Sequence, residues 1–98
     1  MSPRDYRVSH SQLTMEEFRQ ILDLAWSRGI LRRVVSASRW ILEELALTPM
    51  EFGESREYLP HLDLHLRIGF AGPVQVEFAV NLPNRIVFIR RFGLRAPD

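Results

Sequence analysis

Residues 62–95 read LDLHLRIGFAGPVQVEFAVNLPNRIVFIRRFGLR and contain three apolar-rich runs of strand length, separated by short segments rich in Gly, Pro and Asn. Apolar runs punctuated in this way are typical of β-strands joined by turns. The stretch therefore predicts a three-stranded antiparallel meander. We interpret this meander as the working surface of the molecule.

Two sets of side chains alternate along the first run, with the two-residue period of a half-buried strand. The apolar set is expected to face the core and the polar set to face water. The apolar set is Leu62, Leu64, Leu66 and Ile68, and the polar set is His61, Asp63, His65 and Arg67.

The second run, residues 74–80, alternates in the same way and places Glu77 on its polar side. In the third run, residues 86–92, odd and even positions are both apolar until Arg90 and Arg91. A strand that is central in the sheet or buried on both faces explains this pattern. Strict alternation also predicts that Arg90 and Arg91 point to opposite faces.

Upstream of the meander, two stretches carry the three-and-four spacing of amphipathic helices. The first is predicted to begin at Thr14, with Thr14 and Glu17 as a capping box, and to end at Gly29. The second begins at Leu31 and cannot continue beyond the Thr48-Pro49 pair. The two stretches predict a helical hairpin.

Three further features complete the predicted architecture. Residues 5–9 give a weak signal for a short strand, and residues 49–60 are polar and acidic, which indicates a connecting loop. Trp26 and Trp40 lie beside the helical stripes, where we expect them in or at the edge of the core rather than as platforms for stacked bases.

The predicted fold class is α+β. A short N-terminal strand is followed by a helical hairpin and a three-stranded antiparallel meander, with the helices packed on one sheet face. The opposite sheet face is expected to remain in water. A single domain is expected to span residues 1–98.

Composition narrows the classes of function. A chain of 98 residues with 46% apolar content can bury one core. It has no cysteine, which excludes disulfides and thiolate chemistry. Without a run of about 20 apolar residues or a hydrophobic leader, we expect a cytoplasmic protein with no membrane association. No Gly-rich phosphate loop, nucleophile elbow or HExxH helix is present, so no cofactor is expected.

All 13 basic residues are arginine, whose forked donors match phosphate groups. The net charge of +1 is nevertheless too small to indicate a nucleic-acid-binding protein by itself. The distribution of the arginines is more informative than their number. Eight of them form two clusters, Arg28, Arg32, Arg33 and Arg39 in the middle of the chain, and Arg85, Arg90, Arg91 and Arg95 near its end.

The order of predicted elements resembles that of RelE/ParE-type toxin domains. Leu66-Arg67-Ile68-Gly69 is similar to the leucine, arginine, valine, glycine strand of that superfamily, and Arg91-Phe92-Gly93 is similar to its final motif. The order and spacing of these short motifs, over nearly the whole chain, carry the resemblance.

The resemblance implies a twisted sheet in which the first and last strands run parallel at the interior. It also implies a toxin that is paired with an antitoxin protein, and an RNA or ribosome target held on the open sheet face. In ribonuclease members of the superfamily, basic groups there assist attack of a 2′-hydroxyl on the neighbouring phosphate. A homodimer is a further assembly that we consider.

Two positions depart from the superfamily pattern. Gln75 stands where an arginine is common, and Leu94 stands where a histidine often follows the terminal glycine. Phosphoryl transfer needs positive groups at the developing charge and a group that moves the proton. The departures favour the alternative function, a non-catalytic protein-binding module that retains the fold.

The candidate site residues follow from these arguments. The catalytic candidates are Arg67, Arg91, His65 and Glu77, and the RNA-binding candidates are Arg67, Arg91, His61 and Arg95.

Alternatives remain open for the polar side of the first strand and for Glu77. The polar side is either a solvated strand face or a group that binds phosphate or acts in catalysis. A third alternative is a metal site made by His61, Asp63 and His65, but we expect that no metal is bound. Glu77 is a general base or a salt-bridge partner of Arg67.

Overall fold

The computed structural model describes residues 5–95, which form a mixed sheet and a helical hairpin. The α+β class predicted above is confirmed. The elements in chain order are β1 (Arg7–His10), α1 (Gln12–Ser27), α2 (Leu31–Leu47), β2 (Glu54–Leu59), β3 (Leu64–Ala71), β4 (Val74–Asn81) and β5 (Ile86–Leu94).

The described strands form a five-stranded sheet in the order β1-β5-β4-β3-β2. Strand β1 pairs with β5 in parallel, and the other neighbouring pairs are antiparallel. The expected parallel pairing is therefore present. Strand β1 lies at the edge of the sheet, however, rather than in its interior, because β5 is the one described strand with which it pairs.

Strand β2 occupies the segment that we predicted to be a loop. The prediction was wrong because the residues of β2 are mostly exposed and carry no apolar alternation. An edge strand that is solvated on both faces does not need an apolar side, and charged residues there discourage unwanted pairing. The meander therefore has four strands, β2 to β5.

The core lies between one face of the sheet and the helical hairpin. Val34, Ile41 and Leu45 of α2 are completely buried, as is Phe78 of β4. Burial of one such side chain contributes about 1.5–3 kcal/mol relative to its exposure. The same sheet face also supplies Val74, Val76, Val80 and Val87. This face is called the helix-bearing face below.

Helix α1 begins two residues earlier than predicted. Ser11 is its N-cap, and the Ser11 hydroxyl accepts a hydrogen bond from the Thr14 backbone N–H. The predicted capping box is therefore wrong. Thr14 is buried instead and donates to the carbonyl oxygen of Ile89, while the Glu17 carboxylate accepts from the backbone N–H of Phe92.

The two tryptophans have different environments. Trp26 is 74% exposed, so the expectation that it lies in or beside the core is wrong. Trp40 lies at the edge of the core, where its ring packs edge-on against Phe52 at 5.5 Å between centroids. Neither α1 nor α2, the helices of the described residues, has the length and apolar character needed to cross a bilayer.

Candidate functional site

The sheet face opposite the helices, called the open face, is built around the polar side of β4. Gln75, Glu77 and Ala79 of β4 lie directly opposite Phe70, Ile68 and Leu66 of β3. Opposed residues in an antiparallel pair share a face, so these six side chains belong to the open face. The predicted parity of β4 is therefore correct.

The parity of β3 is the reverse of the prediction. Arg67 pairs with Phe78, a completely buried residue of the helix-bearing face, and His65 pairs with Val80 on that same face. The leucine side of β3 consequently forms part of the open face. The reason lies in the packing further along β3, where the Phe52 ring leaves no room for a Cβ at Gly69.

Arg67 holds the chain that leads into β2. Its Nε donates to the carbonyl oxygen of Phe52 at 3.2 Å, and its Nη2 donates to that of Gly53 at 3.0 Å. The Arg67 guanidinium is therefore bound to the backbone of residues 52 and 53, and Arg67 itself belongs to the helix-bearing face. Arg67 was expected to face water on the polar side of this strand, but its guanidinium is instead bound to backbone.

His65 belongs to a polar cluster at the β2–β3 connection. Its ring lies 4.5 Å from that of Tyr58, and the Tyr58 hydroxyl donates to Asp63 Oδ1 at 3.1 Å. This hydrogen bond raises the pKa of the Tyr58 phenol, because ionisation would break the bond and place two negative charges together. Asn81 Nδ2 donates to the Asp63 carbonyl oxygen. His61 is exposed in the adjoining turn.

Of the polar side of the first run, His61, Asp63 and His65 therefore do not meet the other predicted site residues on the open face. Within residues 5–95, no group of three or more His, Cys, Asp or Glu side chains is arranged to hold a metal ion. The salt bridge considered between Glu77 and Arg67 does not form within the described residues, because these residues lie on opposite sheet faces.

A β-bulge in β5 brings two arginines towards the open face. Glu77 pairs with Arg91 and Phe78 pairs with Ile89, so Arg90 is an extra residue with no counterpart on β4. Both Arg90 and Arg91 border hollows that Gln75 and Glu77 also line. The prediction that they point to opposite faces is wrong, because a bulge interrupts strict alternation.

The sequence contains a signal for this bulge that strict alternation does not capture. Ile89 and Phe92 are apolar residues three positions apart with two arginines between them, and in the structure both face the core. A regular strand would separate them by two or four. Arg90 is thus a site residue that was not selected from the sequence.

The open face contains two adjoining hollows. One lies at the centre of the face, and the other lies near the connection between β2 and β3. The first, called the central depression, has a volume of about 340 Å³. Arg67 also borders it, although its guanidinium is engaged with the Phe52 and Gly53 carbonyl groups. The other residues that line it are Arg56, Glu57, Leu66, Ile68, Gln75, Glu77 and Arg90.

The second hollow, called the apolar cup, has a volume of about 310 Å³. Arg90 stands beside it as the charged residue of its lining. The apolar residues of the lining are Leu59, Leu62, Leu64, Leu66, Ala79 and Phe88.

Two further arginines lie beyond Arg90 in the chain, Arg91 within β5 and Arg95 immediately after that strand. Arg91 is well exposed, and its Nε lies 3.9 Å from the Glu17 carboxylate. The guanidinium of Arg95 lies over the Phe70 ring, 4.9 Å from its centroid. Among the predicted site residues, the structure therefore places Arg91, Glu77 and Arg95 at the open face and His65 on the opposite one. Arg67 borders the central depression, but its guanidinium is bound to backbone carbonyl groups.

Comparison with known proteins supports the fold. No protein-family model and no curated protein sequence matches the chain. In a crystal structure of the archaeal RelE–RelB complex from Pyrococcus horikoshii OT3, a chain has a similar fold, with a TM-score of 0.63 and 21% sequence identity. The alignment covers 96% of this chain and 99% of that chain. The fold is therefore RelE-like.

Proposed function

We propose that this chain is the toxin of a toxin–antitoxin pair and acts on RNA through its open face in the cytoplasm. The RelE-like fold supports the class, because the similar chain comes from a complex of RelE with RelB. The observation that carries the RNA target is the bulge in β5, which aligns Arg90 and Arg91 beside Glu77. Guanidinium groups bind phosphate in a bidentate manner.

The chemistry that we propose is transfer of a phosphoryl group within RNA, from the 5′-oxygen of one nucleotide to the 2′-oxygen of its neighbour. Glu77 accepts the proton of a 2′-hydroxyl, and the 2′-oxygen forms a bond with the adjacent phosphorus. The bond from phosphorus to the 5′-oxygen breaks, that oxygen takes a proton from water, and the remaining hydroxide takes the proton from Glu77. Arg90 and Arg91 stabilise the charge that develops on the non-bridging oxygens. The products are a 2′,3′-cyclic phosphate and a 5′-hydroxyl.

The proposed set of RNA-contacting residues differs from the set selected from the sequence. Arg91, Glu77 and Arg95 remain in it, and Arg90 is added. Arg67 is left out because its guanidinium is bound to the Phe52 and Gly53 carbonyl groups, and His65 is left out because it lies on the helix-bearing face with its ring against Tyr58. His61 is left out because it lies in the exposed turn beyond the sheet.

Binding of single-stranded RNA to the purified chain tests the target directly. We expect affinity to fall with salt, and the slope of log affinity against log salt to decrease by about 0.7 for each phosphate that the protein no longer neutralises. Arg90→Ala and Arg91→Ala should each reduce the slope by this amount. Arg39→Ala, which removes an exposed guanidinium from α2, is the matched control and should leave the slope unchanged.

Cleavage is tested in cells by induced expression and primer extension on messenger RNA. The parent chain should arrest growth and produce new 5′ ends, and Glu77→Gln should abolish these ends while it preserves RNA affinity. A parent chain that neither arrests growth nor cleaves would refute the catalytic part of the proposal. If the parent chain neither arrests growth nor cleaves, and also does not bind RNA in vitro, the RNA target is refuted as well.

The non-catalytic protein-binding module remains the second candidate function. The mixed charge of the open face favours it, because Glu57 and Glu77 lie in the same depression as Arg56 and Arg90. A flexible protein segment can match alternating charges and insert an apolar residue beside them. Co-expression with a small protein encoded by the adjacent gene is the test. A stoichiometric complex, from a chain that does not bind RNA, would favour this function.

A further inference from the structure

The apolar cup and the central depression are joined at Leu66 and Arg90, which line both hollows. An apolar hollow therefore opens directly into a hollow that contains guanidinium groups. A nucleotide has the same succession, because a flat base is joined through its sugar to an anionic phosphate. We propose that the apolar cup binds one unpaired base of a single-stranded RNA, with the adjacent phosphate against Arg90. This inference rests on the proposed function and adds a base-binding site to it.

The walls of the cup suit a flat ring. Ala79 of β4 lies between Leu66 of β3 and Phe88 of β5, since it pairs with both. Ala79 is only 2% exposed, whereas Phe88 is 40% exposed, so larger side chains cover the alanine methyl and the cup is shallow. A base can lie across Phe88 and Leu66 in such a cup. Stacking on an exposed aromatic ring is the common mode of binding for unpaired bases.

The charges around the cup select the course of the RNA backbone. Arg90 and Arg91 are neighbours on β5, and Arg95 follows the end of that strand with its guanidinium over Phe70 of β3, whereas Glu57 belongs to β2 and Glu77 to β4. Repulsion by Glu57 disfavours a course of the phosphates across the sheet towards β2, and Glu77 remains beside the reacting 2′-hydroxyl. The backbone is thus directed past Arg90 and Arg91 of β5, beside the cup. An uncharged apolar peptide segment would fill the cup but would leave the Arg90 guanidinium without an anion.

The test compares two labelled oligomers of equal length and charge, an RNA octamer and an abasic ribose-phosphate octamer, with the full chain. The parent should bind the RNA more tightly than the abasic oligomer. Phe88→Leu, which keeps an apolar side chain but removes the ring, should weaken RNA binding by roughly 5- to 100-fold. Its affinity for the abasic oligomer and its salt slope should be unchanged.

Two further variants control for folding and charge. Phe88→Tyr keeps the ring and should retain RNA affinity, which would show that the weaker binding of Phe88→Leu is due to the absence of stacking. Arg90→Ala should weaken binding of both oligomers and reduce both salt slopes by about 0.7. Circular dichroism and thermal melting should match the parent for all three variants.

Each remaining outcome identifies what has failed. Equal affinity of the parent for both oligomers, or unchanged RNA binding in Phe88→Leu, would overturn the base site and leave RNA binding by the chain intact. No binding of either oligomer would overturn the proposed function and this inference together. If Phe88→Leu retained RNA binding but no longer bound the antitoxin, the cup would be assigned to a protein partner instead.

Discussion

Tyr58 illustrates how one hydrogen bond sets the behaviour of a single residue. Its hydroxyl donates to Asp63, which raises the pKa of the phenol above its ordinary value of about 10. A group with a raised folded-state pKa contributes stability that is fully present below its unfolded pKa. That contribution is lost as the pH rises through the folded-state pKa. The Tyr58–Asp63 bond should therefore stabilise the β2–β3 connection at neutral pH and fail in strong alkali.

Titration of the phenol at 295 nm measures this effect. In a Tyr6→Phe background, Tyr58 is the remaining tyrosine, and its midpoint should lie above about 10. Asp63→Asn should move the midpoint towards the ordinary value because it removes the negative charge. Asn is a suitable replacement, since Asp63 has a φ of 51°, a conformation that Asn tolerates well. An unchanged midpoint in Asp63→Asn would contradict the assignment.

The sequence predicts which residues of β3 share a face but not which face they occupy. Alternation groups His65 with Arg67 correctly, and their contacts with Tyr58 and Phe52 then depend on residues that are distant in the sequence. Apolar side chains normally face the core, yet the leucines of β3 line the open face. The helix-bearing side of β3 is instead packed by the Phe52 ring over Gly69. Periodicity along a single strand carries no information about that packing.

The bulge in β5 is the element that decides the composition of the candidate site. Deletion of Arg90 would leave Arg91 opposite Glu77 and Ile89 opposite Phe78 in regular alternation. We therefore expect the variant to fold, with a change in the free energy of unfolding of about 1 kcal/mol or less. Its salt slope for RNA binding should fall by about 0.7, because one guanidinium is removed.

Arg90→Ala is the matched control for this deletion, since it removes the guanidinium and keeps the bulge. The two variants should bind RNA with similar affinity, and urea unfolding should separate any effect of the bulge itself. A deletion variant that fails to fold, beside a stable Arg90→Ala, would show that β5 requires the extra residue. In that case the bulge would be a structural necessity rather than a means of presenting a second arginine.

Elements with an apolar face were predictable, and the element without one was not. The stripes of α1 and α2 and the alternation of β4 gave their positions to within a few residues. Strand β2 has no buried side, so its sequence carries no period to detect. Its position follows from pairing with β3, which is a property of the assembled sheet.

At the scale of the whole molecule, the strand order predicts a gradient of local stability. Strand β4 is paired on both sides and covered by the hairpin, whereas β2 lies at an exposed edge. Amides in buried, doubly paired strands exchange with solvent only through the largest openings, and edge amides exchange through small ones. Hydrogen exchange should therefore be slowest in β4 and in the paired part of β5, and fastest in β2. Equal protection of β2 and β4 would contradict the strand order.

The end of β5 that β1 does not pair with provides a specific test of this gradient of local stability. Strand β1 pairs with β5 only as far as Ile89, so the Phe92 N–H lies beyond its cover. The Glu17 carboxylate of α1 accepts from that N–H at 3.3 Å, which connects the hairpin to the row of arginines on β5. Glu17→Ala should accelerate exchange of the Phe92 amide and leave the β4 amides unchanged. Glu16→Ala, at the neighbouring position of α1, should change neither, and faster exchange throughout the sheet would mean that Glu17 supports the fold as a whole.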